Sequence, residues 1–132
     1  MFKEISHTAD VCLYVESTSL KNLFYDAAIG LMTISGIEPI SDDNQLYIEN
    51  YKYTANEKEI LLIEWLNFLI FKLEKQLYLV NSIIKITKNS LFAKCYFKKY
   101  DKINLSIKSA TYHNLQIIKL NHLIKTFITF DL

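Results

Sequence analysis

Residues 60–73 constrain the fold more than any other part of the chain, because they form its longest apolar block. Asn56 and Glu59 resemble a capping box, which predicts a helix that begins there and runs to about Gln76. Such a helix is apolar nearly all round, so it must be covered on more than one side. We therefore expect it to be a central packing element.

Two alternatives for this block lead to different functions. Trp65 and Phe68 could belong to an exposed groove that binds a partner, although an exposed apolar surface of that size is unusual. The block could also be read as a membrane span, but Glu64, Asn67 and Lys72 interrupt it and it is too short to cross a bilayer. We expect no membrane association.

A second helix and several strands surround this block in sequence. Ser19 can cap a helix that presents one apolar face and ends at Gly36. Alternating apolar residues predict strands over residues 11–16 and 46–53, a hairpin over 82–97 that turns at Asn89, and a last hairpin over 115–131 that turns at Asn121. The order predicts an α+β fold with two helices packed on a largely antiparallel sheet.

Composition favours one domain over the whole chain, 1–132. The chain is 51% hydrophobic, which is ample for a core at a length of 132 residues. With two glycines and one proline, it has no stretch that reads as a flexible linker. Cys12 and Cys95 lie in separate strand-like runs, and no signal peptide is recognised, so we expect reduced core thiols in a cytoplasmic protein.

The charge balance bears on partners. The formal net charge is +1, and every one of the 15 basic residues is lysine. Proteins that read nucleic acids usually rely on arginine and on a positive footprint. We expect direct nucleic-acid binding to be weak or absent, although Lys98, Lys99 and Lys102 form a small basic patch among aromatic residues.

Polar residues at the ends of predicted elements are the candidates for chemistry, because the common catalytic motifs do not occur in the sequence. Asp10 begins the first predicted strand, and Asp131 next to the carboxylate of Leu132 ends the last one. If these three groups were close together, they would require a cation, and their hard oxygens suit calcium, magnesium or manganese. Alternatively, Asp10 merely ends a strand and Asp131 is solvated. Spacing alone favours that second interpretation.

Four further residues are secondary candidates for support of the site or contact with a partner. His7 could orient a ligand, and Lys108 could hold an anion. Thr111 and His113 lie at a predicted strand entrance. Each has a structural alternative, because a lone histidine or an exposed lysine more often has no catalytic role.

Four segments taken together resemble the archease family, and their order and spacing cover essentially the whole chain. They are FKEISHTADVCLYVES, LLIEWLNFLIFKLE, IKSATYHNLQI and TFITFDL. The HTAD segment combined with Lys-x-x-Thr-Tyr-His is far more specific than either alone. The closing Phe-Asp-aliphatic also resembles the family's last three residues.

The resemblance implies a protein cofactor without catalytic activity of its own. Archeases activate the tRNA-splicing RNA ligase, which uses GTP and manganese, by promoting its guanylylation and its multiple turnover. The family's metal site, usually assigned as calcium, carries onto Asp10, Asp131 and Leu132. A chaperone-like module for RNA-modifying enzymes and a metal-dependent phosphoesterase built on the same carboxylates are the alternatives.

Overall fold

A computed structural model describes residues 1–6 and 10–132 of the chain. These residues form nine strands and two helices. In chain order they are β1 (Phe2–Ser6), β2 (Asp10–Ser17), α1 (Leu20–Ser35), β3 (Ile37–Pro39), β4 (Tyr47–Thr54), α2 (Lys58–Glu74), β5 (Leu77–Ile86), β6 (Ser90–Ile103), β7 (Ser109–Thr111), β8 (Ile118–Leu120) and β9 (Leu123–Asp131).

The strands form two sheets, and every strand pairing is antiparallel. The first sheet has the order β1-β2-β9-β7, with β8 also paired to β9, and the second has β3, β4 and β5 all paired to β6. The predicted α+β class is confirmed, with two sheets where one was expected. Both sheets cover α2, because a helix that is apolar nearly all round must be packed on more than one side.

Both helices contact both sheets. The helix α1 packs against β2 and β5, and α2 packs against β5 and β7. Trp65 of α2 is fully buried, and its indole N–H donates to the carbonyl oxygen of Phe24 at 3.1 Å. The prediction of a central packing element is confirmed, and the exposed groove at Trp65 and Phe68 is wrong, because Trp65 is fully buried and the half-buried Phe68 stacks on it.

The ends of the helices follow the sequence signals unevenly. The Ser19 hydroxyl accepts the Asn22 N–H at 3.1 Å, and Gly36 ends α1 in the left-handed region at φ 63°, as predicted. The capping box at Asn56 is wrong, since α2 begins after Glu57 without a side-chain cap. The Glu59 carboxylate instead accepts the N–H of Ile117 at 3.0 Å.

The turns were predicted better than the short strands. Asn121 and His122 both have positive φ, at 51° and 68°, and join β8 to β9 as expected. The strands β1, β3 and β7 were not predicted, because runs of three to five residues carry little periodicity. Cys12 and Cys95 are buried free thiols, as expected. No helix in residues 1–6 or 10–132 is long and apolar enough to span a membrane.

Candidate functional site

Asp10 and Asp131 are direct neighbours at the ends of β2 and β9, the two central strands of the first sheet. Asp10 is the first residue of β2, Asp131 is the last residue of β9, and the antiparallel register pairs them with each other. Residues opposite one another in such a pair point to the same face, with Cβ atoms roughly 4.5–5.5 Å apart. The two carboxylates therefore share one corner of the sheet, which we call the acidic tip.

A third strand completes the acidic tip on the other side of Asp131. Ser109 begins β7 and pairs with Asp131, so its hydroxyl lies in the same row as the two carboxylates. The backbone N–H of Lys108 donates to the Asp131 carbonyl oxygen at 2.8 Å. These contacts fix the backbone that carries Asp131, although the side chain of Asp131 itself is exposed.

The electrostatics of the acidic tip favour a bound cation. Like charges directly opposite one another in a sheet are destabilising. The ion pairs of the described residues join Met1 to Asp26 and Lys72 to Glu49, so neither of them neutralises Asp10 or Asp131. A cation between the carboxylates would remove their repulsion.

The donor atoms at the acidic tip fit a hard cation. Calcium binds six to eight oxygen ligands, about 2.3–2.6 Å away, and two carboxylates can supply up to four of them. Within residues 1–6 and 10–132, no group of three or more His, Cys, Asp or Glu side chains is assembled. The protein side chains described here would thus fill part of a coordination shell, and the rest requires a hydroxyl, a terminal carboxylate, water or a partner.

The row next to the carboxylates is closely packed. Cys12 pairs with Thr129, which pairs with Thr111 on its other side. Burial raises the pKa of the Cys12 thiol, a hydrogen bond with Thr129 opposes the rise, and the negative charge of Asp10 adds to it. Cys12 is therefore a buried thiol next to the acidic tip whose protonated form is favoured by burial and by the charge of Asp10.

The other residues predicted for the site lie at different positions relative to the acidic tip. Leu132 follows Asp131 directly and is 49% exposed. Lys108 approaches through its backbone, and its side chain is exposed; Thr111 lies one row away. His113 lies beyond the end of β7, where its Nε2 is 3.2 Å from the Asn114 amide, so it is not in the carboxylate row. The predicted contribution of His7 lies outside the described residues.

Sequence reasoning missed Ser109 and the residue that secures its strand. Asn67 of α2 binds Ala110 of β7 through both ends of its amide. Ser109 occupies a variable position of the Lys-x-x-Thr-Tyr-His segment, and Asn67 stands in the apolar block, so neither was singled out as a functional candidate. An asparagine inside an apolar helix was the one available signal, because an amide among apolar side chains requires hydrogen-bond partners.

The comparisons with known proteins agree with this architecture. The model of the Archease protein family (MTH1598/TM1083) matches residues 2–132. The crystal structure of an archease, described as a possible chaperone, from Thermotoga maritima is 27% identical with a TM-score of 0.73, covering 98% of this chain and 96% of that chain. The solution structure of Methanobacterium thermoautotrophicum protein 1598 is 19% identical with a TM-score of 0.70, covering 99% of this chain and 98% of that one. No curated protein gives a significant sequence match.

The fold is thus that of a small α+β domain in which two helices pack on antiparallel sheets and a pair of aspartates meets at one corner. The family match over nearly the whole length shows that the chain belongs to the archease family.

Proposed function

We propose that this chain activates a tRNA-splicing RNA ligase through the acidic tip, promoting guanylylation and multiple turnover of the ligase in tRNA splicing and RNA repair. The observation that carries the proposal is the direct pairing of Asp10 with Asp131. Membership of the archease family supports the same proposal of a ligase-activating role. In this proposal the chain is a protein cofactor with no catalytic residue of its own.

The chemistry proposed for the acidic tip is the holding of a divalent cation, calcium first, with magnesium and manganese as alternatives. Asp10 and Asp131 would bind it, together with the carboxylate of a chain that ends at Leu132. Such a cation supplies charge neutralisation and a template for oxygen ligands when it is bound. The role of this chain's residues is to hold the two carboxylates in a fixed geometry at an exposed corner, where a partner can approach them.

The remaining candidates are given supporting roles. Thr111, one row from the carboxylates, orders the start of the loop after β7 by accepting the His113 N–H at 3.4 Å. Lys108 and His113 expose their side chains on either side of β7. We assign both to contact with the partner, and His7 to the same role.

The test is a multiple-turnover RNA ligation assay with GTP and manganese, in which the purified ligase is limiting. We expect Asp10→Asn and Asp131→Asn to abolish the stimulation while both variants fold normally. Asp101→Asn is a matched control, because Asp101 is an exposed aspartate in β6 of the other sheet. Full stimulation by both tip variants would refute the proposal, and an extension after Leu132 without effect would remove the terminal carboxylate from it.

A chaperone-like role toward RNA-processing enzymes is the second candidate, supported by an exposed apolar surface on the first sheet. Tyr14 and Phe127 pack with ring centroids 4.9 Å apart on the face away from the helices, and Phe127 is 51% exposed. Ile118 and Leu120 of β8 are 46% and 54% exposed. Suppression of a client's aggregation that survives Asp131→Asn but is lost in Phe127→Ser would favour it.

A metal-dependent phosphoesterase is the third and weakest candidate. It would use the same carboxylates, but hydrolysis also needs an activated nucleophile and a proton acceptor near them. Release of phosphate by the purified protein alone, with magnesium or manganese and without any ligase, would identify that activity.

A further inference from the structure

The outer face of the second sheet concentrates positive charge that the overall charge conceals. Side chains alternate along each strand, so outward positions can be read from burial and register. Four lysines occupy outward positions on three neighbouring strands: Lys52 of β4, Lys85 of β5, and Lys94 and Lys98 of β6. The outward positions of β4, of β5 and of β6 from Ser90 to Lys98, all of which the structure describes, hold no carboxylate.

Aromatic rings stand between these lysines. Phe92 is 38% exposed and pairs with Lys52 on one side and Lys85 on the other. The Lys52 ammonium lies 5.1 Å from the centre of the Phe92 ring, and the Lys94 ammonium lies 5.6 Å from that of Tyr96. Each of these two outward rings of β6 therefore has a lysine ammonium over it, within the distance of a cation–π contact.

The surface is concave and partly apolar. A depression of about 440 Å³ opens on this face between Lys52, Lys85 and Phe92, with Ile83 at its edge. Ile83 of β5 is 59% exposed, so it adds a large apolar side chain to this surface. Phe97 and Tyr100, which flank Lys98 and Lys99 in the sequence, are buried and take no part in this surface.

We propose that this face binds a short stretch of single-stranded RNA, weakly and with little sequence preference. Sequence-tolerant single-strand binding combines a positive surface that follows the phosphates with aromatic rings on which bases stack. The lysines of this face provide the first element, and Phe92 and Tyr96 provide the second. A ligand of this kind brings a phosphate close to each base, which matches a lysine ammonium within 6 Å of each ring centre.

An acidic protein segment would use the lysines but would leave the exposed rings without a specific partner. Double-stranded RNA is also disfavoured, because its bases are already stacked and its recognition depends on shape. The absence of arginine fits the modest strength proposed, since lysine meets phosphate as a point charge without the bidentate geometry of arginine.

The test measures fluorescence anisotropy of a labelled single-stranded oligouridylate of roughly twelve nucleotides, a length that spans one sheet surface. We expect a dissociation constant on the order of 10⁻⁵ M at low salt, as is usual for nonspecific binding. The slope of the logarithm of the association constant against the logarithm of the salt concentration should be about −3. Each of the four lysines would neutralise one phosphate, and each neutralised phosphate on a single strand contributes about −0.7.

Two variants separate the contributions of charge and stacking. Lys52→Ala combined with Lys94→Ala should lower the magnitude of the salt slope by about 1.4. Phe92→Leu keeps an apolar side chain but removes the ring, and should weaken binding by at least about fivefold with the slope unchanged. Lys3→Ala combined with Lys119→Ala is the matched control, because both lysines are exposed on the first sheet, and it should change neither quantity.

Three results would overturn the proposal. They are no binding at low salt, binding that the Lys52 and Lys94 changes leave intact, and equal binding of a polyglutamate peptide of the same formal charge. The last would identify the face as a docking surface for acidic proteins. None of these measurements depends on the acidic tip or on a ligase, so this proposal and the proposed function can fail separately.

Discussion

Asn67 holds Ala110 by both ends of its side-chain amide. The Ala110 N–H donates to Oδ1 at 2.7 Å, and Nδ2 donates to the Ala110 carbonyl oxygen at 3.3 Å. The amide of a helix residue thus does for β7 what a neighbouring strand would otherwise do, because it satisfies the backbone groups at the strand's outer edge. Since β7 also carries Ser109 beside Asp131, α2 is connected to the acidic tip through this contact.

We expect Asn67→Ala to lower the free energy of unfolding by about 2 kcal/mol, because it leaves buried backbone groups of Ala110 without partners. Urea denaturation measures the loss, and hydrogen exchange at the Ala110 amide should accelerate. Asn50→Ala, at an exposed position of β4, should change stability by less than about 0.5 kcal/mol. Equal stability of the two variants would contradict the role assigned to the Asn67 contact.

Calcium should stabilise the wild-type protein and not the tip variants. A ligand that binds only the folded state adds about 2.7 kcal/mol at one hundred times its dissociation constant. Without metal, Asp131→Asn should raise the free energy of unfolding by about 0.2–1 kcal/mol, because it relieves the repulsion from Asp10. Thermal unfolding with and without calcium measures both effects. A wild-type melting temperature that calcium does not change would exclude calcium as the ligand.

Gly30 should not tolerate alanine, although alanine favours helices. A Cβ atom at Gly30 would lie 2.8 Å from Cδ2 of Leu13 and 3.1 Å from Cγ of Phe2. Leu13 is fully buried, so it cannot move aside freely, and overpacking of this kind typically costs about 1–3 kcal/mol. We expect Gly30→Ala to lower the melting temperature. Adding Leu13→Val should recover part of the loss, and strictly additive effects would argue against this contact.

Stability should fall at alkaline pH. Burial raises the pKa of the Cys95 thiol to about 12, and the negative charge of Glu49 adds to the rise. The pKa of Cys95 is higher in the folded protein than in the unfolded chain, so the protonated thiol stabilises the fold. This stabilisation is complete below about pH 8.5 and is lost as pH rises toward the folded-state pKa. The slope from this group approaches about −1.4 kcal/mol per pH unit. Burial likewise raises the pKa of Tyr51, which adds to the same trend.

Denaturation at several pH values between 8 and 12 measures this slope. Cys95→Ala should make it shallower, because the unfolded chain then has one fewer proton to lose. Lys52→Ala, an exposed change on the outer face of the same sheet, should leave the slope nearly unchanged. An identical pH profile for wild type and Cys95→Ala would show that the Cys95 thiol does not govern alkaline unfolding.

The sequence predicted helices and strands better than it predicted which residues of different strands lie next to each other. Periodicity located the helices and placed Asp10 and Asp131 at strand ends, because these features depend on local spacing. The pairing of the two aspartates is a matter of register between strands far apart in the chain, and local spacing carries no such information. Only the resemblance to archeases brought the aspartates together before the structure did.

Side chains whose role comes from a tertiary contact explain the remaining errors. Glu59 looked like the acceptor of a capping box, but it receives a backbone N–H from a distant segment at Ile117. Ser109 and Asn67 were overlooked because their importance comes from β7, a strand of three residues. In each case a tertiary contact decided the role, and local sequence rules do not contain that contact.

The position of β9 also determines when the acidic tip can exist during synthesis. This last strand lies between β2 and β7 in the first sheet, so β2 has no partner on that side until β9 has left the ribosome. Pairing across nearly the whole chain makes this sheet a late folding event. A carboxylate pair at that seam would be absent from chains in which β9 has not yet been made, and any partner that recognises it would engage only molecules in which this sheet has formed.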